Sequence, residues 1–166
     1  MKMIPVAKPE IGKAERKAVD RVMRSGLLAQ GTEVSNFEKE FSKFVEDRDC
    51  VAVNSGTSAL HVALLSLGIG KGDEVIVPSF TFAATANSVA LTGATPIFVD
   101  IDSTTFCIDP IEIVKAITPK TKAIQAVHLY GLAAGMPAIM KIAKKYKLLV
   151  IEDAAQAHLA SIDGKP

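Results

Sequence analysis

Three places in the chain hold residues whose types and spacing could do chemistry together. The first is the turn Asn54-Ser55-Gly56-Thr57-Ser58-Ala59-Leu60, set between a short apolar run, Val51-Ala52-Val53, and the apolar stretch from Leu60 to Leu67. A small-residue turn from strand to helix leaves backbone N–H groups unpaired, and the helix dipole adds partial positive charge there. The hydroxyls of Ser55, Thr57 and Ser58 add donors, so the turn is a candidate phosphate site. It is equally an ordinary N-cap, because Ser and Thr cap helices with no ligand present. The second place is Asp153, which follows the apolar run Leu148-Leu149-Val150-Ile151 with Glu152 between. In a strand Asp153 shares a face with Ile151 while Glu152 points the other way. A carboxylate beside apolar residues is costly unless it meets a cation or a donor. A protonated ring nitrogen would serve, and so would the backbone of Ala154-Ala155 if Asp153 caps a helix. The third place is Phe82, whose ring could lie flat on another ring, while Gln156, three residues past Asp153, could donate to a ring oxygen.

Other site chemistries find less support. Gly68-Ile69-Gly70-Lys71-Gly72-Asp73 has its third glycine one place early for a dinucleotide fingerprint, and it leads from helix to strand, the reverse of what that motif needs. It reads as a helix stop and a turn. Gly164-Lys165 lacks the upstream glycine of a P-loop, since Leu159 stands there. There is no G-x-S-x-G, and no histidine or carboxylate spacing makes a metal site. His61 reads as a packed histidine in a buried helix, and His158, just past a strand end, stays open between structure and catalysis. A phosphate turn, a ring face and an acid for a ring N–H are together the demands of pyridoxal phosphate.

These residues need a scaffold that brings them together. Apolar positions from Ile11 to Leu27 recur at helical spacing, with Gly26 as a stop, and a second amphipathic helix opens at Gly31-Thr32 with Thr32 as its N-cap. Val34, Phe37, Phe41, Phe44 and Val45 form its stripe. From Val51 onward short apolar strands alternate with helices. The strands are expected at 51–53, 74–77, 95–99, 123–127 and 148–151, and the helices at 57–67, 83–91, 110–117 and 136–146. Near-continuous apolar strands are buried on both faces, as in parallel sheets, and repeated strand-helix-strand units imply right-handed crossovers. The reading is a three-layer α/β fold, a mainly parallel sheet with flanking helices. Ligands in such sheets bind beyond the carboxyl ends of the strands. Ser55–Ser58, the stretch 78–82 with Phe82, Asp100 and Asp102, His128 and Tyr130, and Glu152, Asp153 and Gln156 all fall there.

Composition narrows the partners. The 166 residues are 49% hydrophobic and 22% charged, with a net charge of +1, which gives no nucleic-acid footprint. The lysines at 141, 144, 145 and 147 interleave with apolar residues as on a solvated helix face. Cys50 and Cys107 form neither a metal pair nor a disulfide framework, which fits a reduced cytoplasmic setting. Met1-Lys2-Met3-Ile4-Pro5 lacks the apolar run of a signal peptide. No apolar stretch approaches the roughly 20 residues needed to span a bilayer.

Taken in order, several stretches resemble the DegT/DnrJ/EryC1/StrS family of sugar aminotransferases, fold-type I enzymes that use pyridoxal phosphate. They are Ser25-Gly26 to Gly31 with Phe37-Glu38; Asn54 to Leu60; Gly72-Asp73-Glu74-Val75-Ile76-Val77-Pro78 with Phe82 and Ala84-Thr85; Gly93-Ala94-Thr95-Pro96 with Val99-Asp100; Val127-His128-Leu129-Tyr130-Gly131; and Ile151 to Gln156. The resemblance implies that Gly56, Thr57 and Ser58 hold the cofactor phosphate, Phe82 stacks on the pyridine ring, Asp153 pairs with the ring nitrogen and Gln156 contacts the ring hydroxyl oxygen. It implies transfer of an amino group from glutamate to a nucleotide-linked keto-sugar, by a homodimer.

The same resemblance implies that the chain is an N-terminal portion. Residues 1–50 would be an N-terminal helical segment and 51–166 part of the cofactor-binding large domain, with the C-terminal small domain absent. The family's Schiff-base lysine falls beyond the point equivalent to Pro166, so no catalytic lysine is assigned here. A late strand that pairs with the first sheet strand falls beyond it too, leaving 51–53 without its usual neighbour and the chain oligomeric or marginally stable. Ala126 and Leu159 stand where relatives commonly have proline and glycine. Two other readings stay open: a sugar dehydratase of the same family with histidine in place of the lysine, and a truncated, non-catalytic protein that binds a partner.

Overall fold

The computed structural model describes residues 8–165. Met1 to Pro5, read above for a leader, and Pro166 lie outside the described residues. The chain divides into two compact units between Ala52 and Val53.

In the first unit, helix α1 spans Lys13–Ser25 and helix α2 spans Thr32–Ser42. α1 begins two residues later than its apolar spacing suggested, and Gly26 ends it in the left-handed conformation at φ 73° that glycine adopts without strain. Gly31, not Thr32, stands at the N-cap of α2, so Thr32 is its first helical residue. Phe37 and Phe41 pack with ring centroids 5.7 Å apart. Phe44 and Val45 follow in turns beyond the helix. A two-pronged ion pair joins Arg21 to Glu33 at 3.1 and 2.9 Å. Neither helix contains a buried residue.

The second unit holds a four-stranded sheet: β1 (Glu74–Pro78), β2 (Thr95–Val99), β3 (Thr121–Val127) and β4 (Leu149–Asp153). Their order is β2-β1-β3-β4 and every pairing is parallel. Between them run α3 (Gly56–Ser66), α4 (Ala84–Leu91), α5 (Pro110–Ala116) and α6 (Met136–Tyr146). The two-residue period of a strand divides the core. Val75, Val77, Ala123 and Ile151 pack with Leu60 and Leu64 of α3 and Val89 of α4. Ile76, Ile124 and Ala126 pack on the other face with Ile113 of α5 and Ile139 of α6. Strands covered on both faces read as unbroken apolar runs for this reason.

Local chemistry places the helix starts. The Ser55 side chain caps α3, and Asp109 caps α5 by accepting from the Ile111 N–H at 2.8 Å, with Pro110 supplying a pre-set φ. The glycine-rich stretch after α3 is a stop and a turn, with Gly68 and Gly72 at φ 74° and 96°.

Two expectations are corrected. The run 51–53 is not a strand. Strand character requires ladder partners, and among the described residues none pairs with it. The Ala52 N–H instead donates to Glu38 Oε1 at 2.8 Å, and Val51 is 80% exposed. Helix α3 is not buried all round: Leu60 and Leu64 are covered, whereas Val62 and Leu65 are exposed. Its residues are apolar on every side, so periodicity could not separate the covered face from the open one.

Ile124 is fully buried in the central strand. Ile124→Ala should lower the unfolding free energy by about 2–5 kcal/mol in chemical denaturation, through lost apolar transfer and the cavity left behind. Val51→Ser should change it by less than about 0.5 kcal/mol.

Candidate functional site

The carboxyl ends of β1, β3 and β4 open onto a cleft of about 230 Å³, whose lining includes Gly56, Thr57, Thr81, Phe82, Asp153 and Gln156. Five of the six residues singled out from sequence thus meet around one space. Parallel strands make this possible, because residues that follow each strand emerge along a single edge.

The anion-ready element is the start of α3. Ser55 Oγ accepts from the Ser58 N–H at 3.1 Å and donates to Ser58 Oγ at 3.0 Å. The capping interaction is therefore present, and it uses Ser58, which is the one predicted residue that does not line the cleft. Gly56 and Thr57 are the first two residues of the helix, where backbone N–H groups have no acceptor in the helical ladder. They line the cleft. The Ser58 hydroxyl accepts from Ser55, which leaves its own proton for another acceptor.

Phe82 is 71% exposed and borders the same space. A ring this open beside a cleft that is also lined by Leu60, Val127 and Leu129 offers a face for an aromatic ligand. Asp153, at the last position of β4, is only 9% exposed. Its Oδ1 accepts from the Ala155 N–H at 3.1 Å and its Oδ2 from the Thr85 hydroxyl at 3.3 Å. The contact with the backbone of Ala155 is present, but no helix follows it. Gln156 Oε1 accepts from the Tyr130 N–H at 3.0 Å. Because the partner is a donor, that atom is the amide oxygen, and the NH₂ group remains to donate. Tyr130 reaches this position in a left-handed conformation at φ 52°, which is costly for a non-glycine residue.

Other strand-end residues serve their own loops. Asp100 accepts from the Ile101 N–H at 2.8 Å. Asp102 Oδ1 accepts from the N–H groups of Thr104 and Thr105 at 2.9 and 2.8 Å and from the Thr105 hydroxyl at 3.1 Å. His128 Nδ1 accepts from the Ala134 N–H at 3.0 Å, so Nε2 carries the proton donated to Glu152 at 2.9 Å. This is a hydrogen bond from a neutral ring rather than an ion pair. It pins the loop after β3 and stands outside the cleft lining. His61 is half-buried and His158 exposed, and neither lines the cleft.

Sequence reasoning did not assign the support behind Asp153. Thr81 and Thr85 share a hydrogen bond of 2.8 Å. The Thr85 carbonyl accepts from Ser88 Oγ at 2.9 Å and from Gln125 Nε2 at 3.3 Å. Thr85, Ser88 and Gln125 are completely buried, and Gln125 Oε1 accepts no hydrogen bond from any of the described residues. Two signals were readable: threonines four apart across the start of a helix, and a glutamine inside the apolar run Ala123-Ile124-Gln125-Ala126-Val127.

A parallel sheet layered by helices, presenting these groups at its carboxyl edge, is part of the fold-type I architecture that solved aminotransferase structures share. The 3-amino-5-hydroxybenzoic acid synthase structure superposes at a TM-score of 0.90 with 40% identity, covering 96% of this chain and 42% of that one. The structure of NtdA from Bacillus subtilis with bound cofactor PMP superposes at 0.82 with 46% identity, covering 86% of this chain and 33% of that one. The chain belongs to the DegT/DnrJ/EryC1/StrS aminotransferase family, whose model matches residues 9–166. It is 49% identical to the spore coat polysaccharide biosynthesis protein SpsC of Bacillus subtilis (strain 168), over 93% of this chain and 40% of that protein. It is 47% identical to the GDP-perosamine synthase of Caulobacter vibrioides, over 98% of this chain and 44% of that protein. The chain thus spans about two fifths of the length of the curated relatives it matches. No helix among the described residues is long and apolar enough to cross a membrane.

The Asp102 turn carries a pH dependence. The Thr105 N–H, then the Thr104 N–H and the Thr105 hydroxyl, hold this carboxyl below its usual range. A carboxyl depressed in the folded state stabilises its turn above the unfolded value and loses that contribution as pH falls through the folded value. Hydrogen-exchange protection of the Thr104 and Thr105 amides should therefore fall in that acid range, and in Asp102→Asn it should already be low at neutral pH. Unchanged protection in both would contradict this role.

Proposed function

We propose that this chain is the cofactor-binding portion of a cytoplasmic, homodimeric, pyridoxal-phosphate-dependent aminotransferase that moves an amino group from glutamate to a nucleotide-linked keto-sugar. The observation that carries this reading is the meeting of a helix start, an open aromatic ring and a buried carboxylate around one cleft. The donor set fits the cofactor. Gly56 and Thr57 offer backbone N–H groups, and Ser58 a hydroxyl, to the phosphate. Phe82 takes one face of the pyridine ring, Asp153 accepts from the ring nitrogen and the Gln156 amide donates to the ring hydroxyl oxygen. Relatives named for nucleotide-sugar chemistry, among them GDP-perosamine synthase and a UDP-2-acetamido-2-deoxy-3-oxo-D-glucuronate aminotransferase of Pseudomonas aeruginosa, support the substrate class.

Bound there, the cofactor supplies an electron sink for the carbanion left when a substrate α-proton departs. The protein's contribution is electrostatic and geometric. Asp153, itself nine-tenths buried, presents its carboxyl oxygens to the ring nitrogen, and burial strengthens such a contact relative to water. Phe82 excludes water from one face. No lysine is among the described residues that line the cleft. We infer that the lysine for covalent attachment and α-proton transfer comes from residues outside these 166, so this chain alone does not complete the reaction.

Pyridoxamine 5′-phosphate needs no covalent attachment and isolates the binding claim. Titrated into the intact protein and followed by cofactor fluorescence, it should bind saturably. Asp153→Asn should weaken binding about ten- to a hundredfold, the worth of a charge-assisted hydrogen bond. Absence of saturable binding to the unmodified protein at millimolar cofactor would overturn the reading.

A further inference from the structure

We propose that Thr85 is a positioning residue for the ring-nitrogen contact, and that Gln125 stands in an apolar strand in order to hold it. The inference rests on the cofactor reading above and deepens it.

Every polar group of Thr85 is used. Its N–H donates to the Phe82 carbonyl at 3.1 Å, its hydroxyl donates to Asp153 Oδ2 at 3.3 Å, and its carbonyl accepts from Gln125 Nε2 at 3.3 Å and from Ser88 Oγ at 2.9 Å. One buried residue thereby ties the ring-face residue to the ring-nitrogen residue. The direction of the hydroxyl chain follows from proton counting. A threonine has one O–H proton, and a carboxylate only accepts. Thr85 gives its proton to Asp153, so Thr81 is the donor in the 2.8 Å contact between the two hydroxyls. With Oδ1 held by the Ala155 N–H, each carboxylate oxygen is anchored once, and rotation of the group is opposed from both sides. The remaining lone pairs are left for a ligand.

Gln125 completes the argument. It is fully buried, its neighbours in the strand are apolar, and Oε1 has no partner among the described residues. A methionine of similar size would carry no such penalty. What the amide provides is the hydrogen bond to the Thr85 carbonyl, which sets the first turn of α4 and with it the aim of the Thr85 hydroxyl.

The test compares binding of pyridoxamine 5′-phosphate with that of its 1-deaza analogue, in which C–H replaces the ring nitrogen, to the intact protein. The preference for the nitrogen-bearing ligand reports the Asp153 contact alone, whereas general damage to the site lowers both affinities together. Thr85→Val should reduce that preference about tenfold, while Thr85→Ser should hold it within about threefold. Thr81→Val, at a half-buried position that tolerates the change, should reduce it severalfold. Gln125→Met should leave the thermal midpoint unchanged or raised, yet reduce the preference. The proposal is overturned if Thr85→Val and Thr81→Val keep the full preference, or if they lose affinity for both ligands equally. If the unmodified protein binds neither ligand, the cofactor reading itself fails. If it binds both with no preference, only the role of Asp153 and its support fails.

Discussion

A carboxylate that is nine-tenths buried has to be given partners, and the cleft is built around that requirement at Asp153. The side chain sits where β4 ends, and its own carbonyl accepts from the His128 N–H at 3.0 Å as β3 turns away. The backbone on both sides of the carboxyl group is therefore fixed by the sheet ladder. The side chain is fixed by Ala155 and Thr85. Desolvation makes an unpaired charge here far more costly than on the surface, so these contacts hold the group ready for a cationic ligand.

The sheet supplies the distances. Asp153 lies opposite Val127 in the register of β3 and β4, and Ile76 of β1 lies opposite Ile124 of β3. Because all four strands run the same way, the residues that follow β1 and β4 come to one edge together with the start of α3. Apolar packing on both faces holds this register, since a one-residue slip would exchange the Val75 and Ile76 faces. Gln125 interrupts that apolar pattern at its centre. Its cost of about 1–3 kcal/mol for an unpaired carbonyl is comparable to deleting a methyl group or two from the core. Such a departure from good packing, one residue behind a binding cleft, is where a protein trades stability for placement.

Much of this was legible beforehand. The strand at Thr95–Val99 and the helix at Met136–Tyr146 match their expected bounds, because the apolar run Ile97-Phe98-Val99 soon after Gly93 and an amphipathic helix carrying Lys141, Lys144 and Lys145 are plain signals. Five of the six candidate residues share one cleft, and the roles that the family resemblance implies for them stand as a proposal. The run 51–53 misled because apolar character marks a tendency to be covered, while a strand is a relation between two segments. Thr85 carries part of the family resemblance without a role of its own, and Gln125 is unremarkable alone. A threonine in the first turn of a helix and a glutamine in a strand become informative only when their carbonyl and amide are seen to meet.

The amino-acid sequence by itself determined the order and kind of the elements apart from 51–53, the two-sided burial of the sheet and the identity of the groups at each strand end. These follow from local periodicity, turn residues and caps, which act over a few positions. Only the tertiary structure decided which strand-end groups share a space and which serve their own loops. Asp102 and Asp153 are both carboxylates just past or at the end of a strand. One folds back on Thr104 and Thr105 at an exposed turn, and the other is buried against α4. That difference comes from what each group can reach: Asp153 closes the β4 ladder opposite Val127 and meets Thr85, which is far away in the chain, whereas Asp102 lies past the end of β2 and its side chain bonds within its own turn.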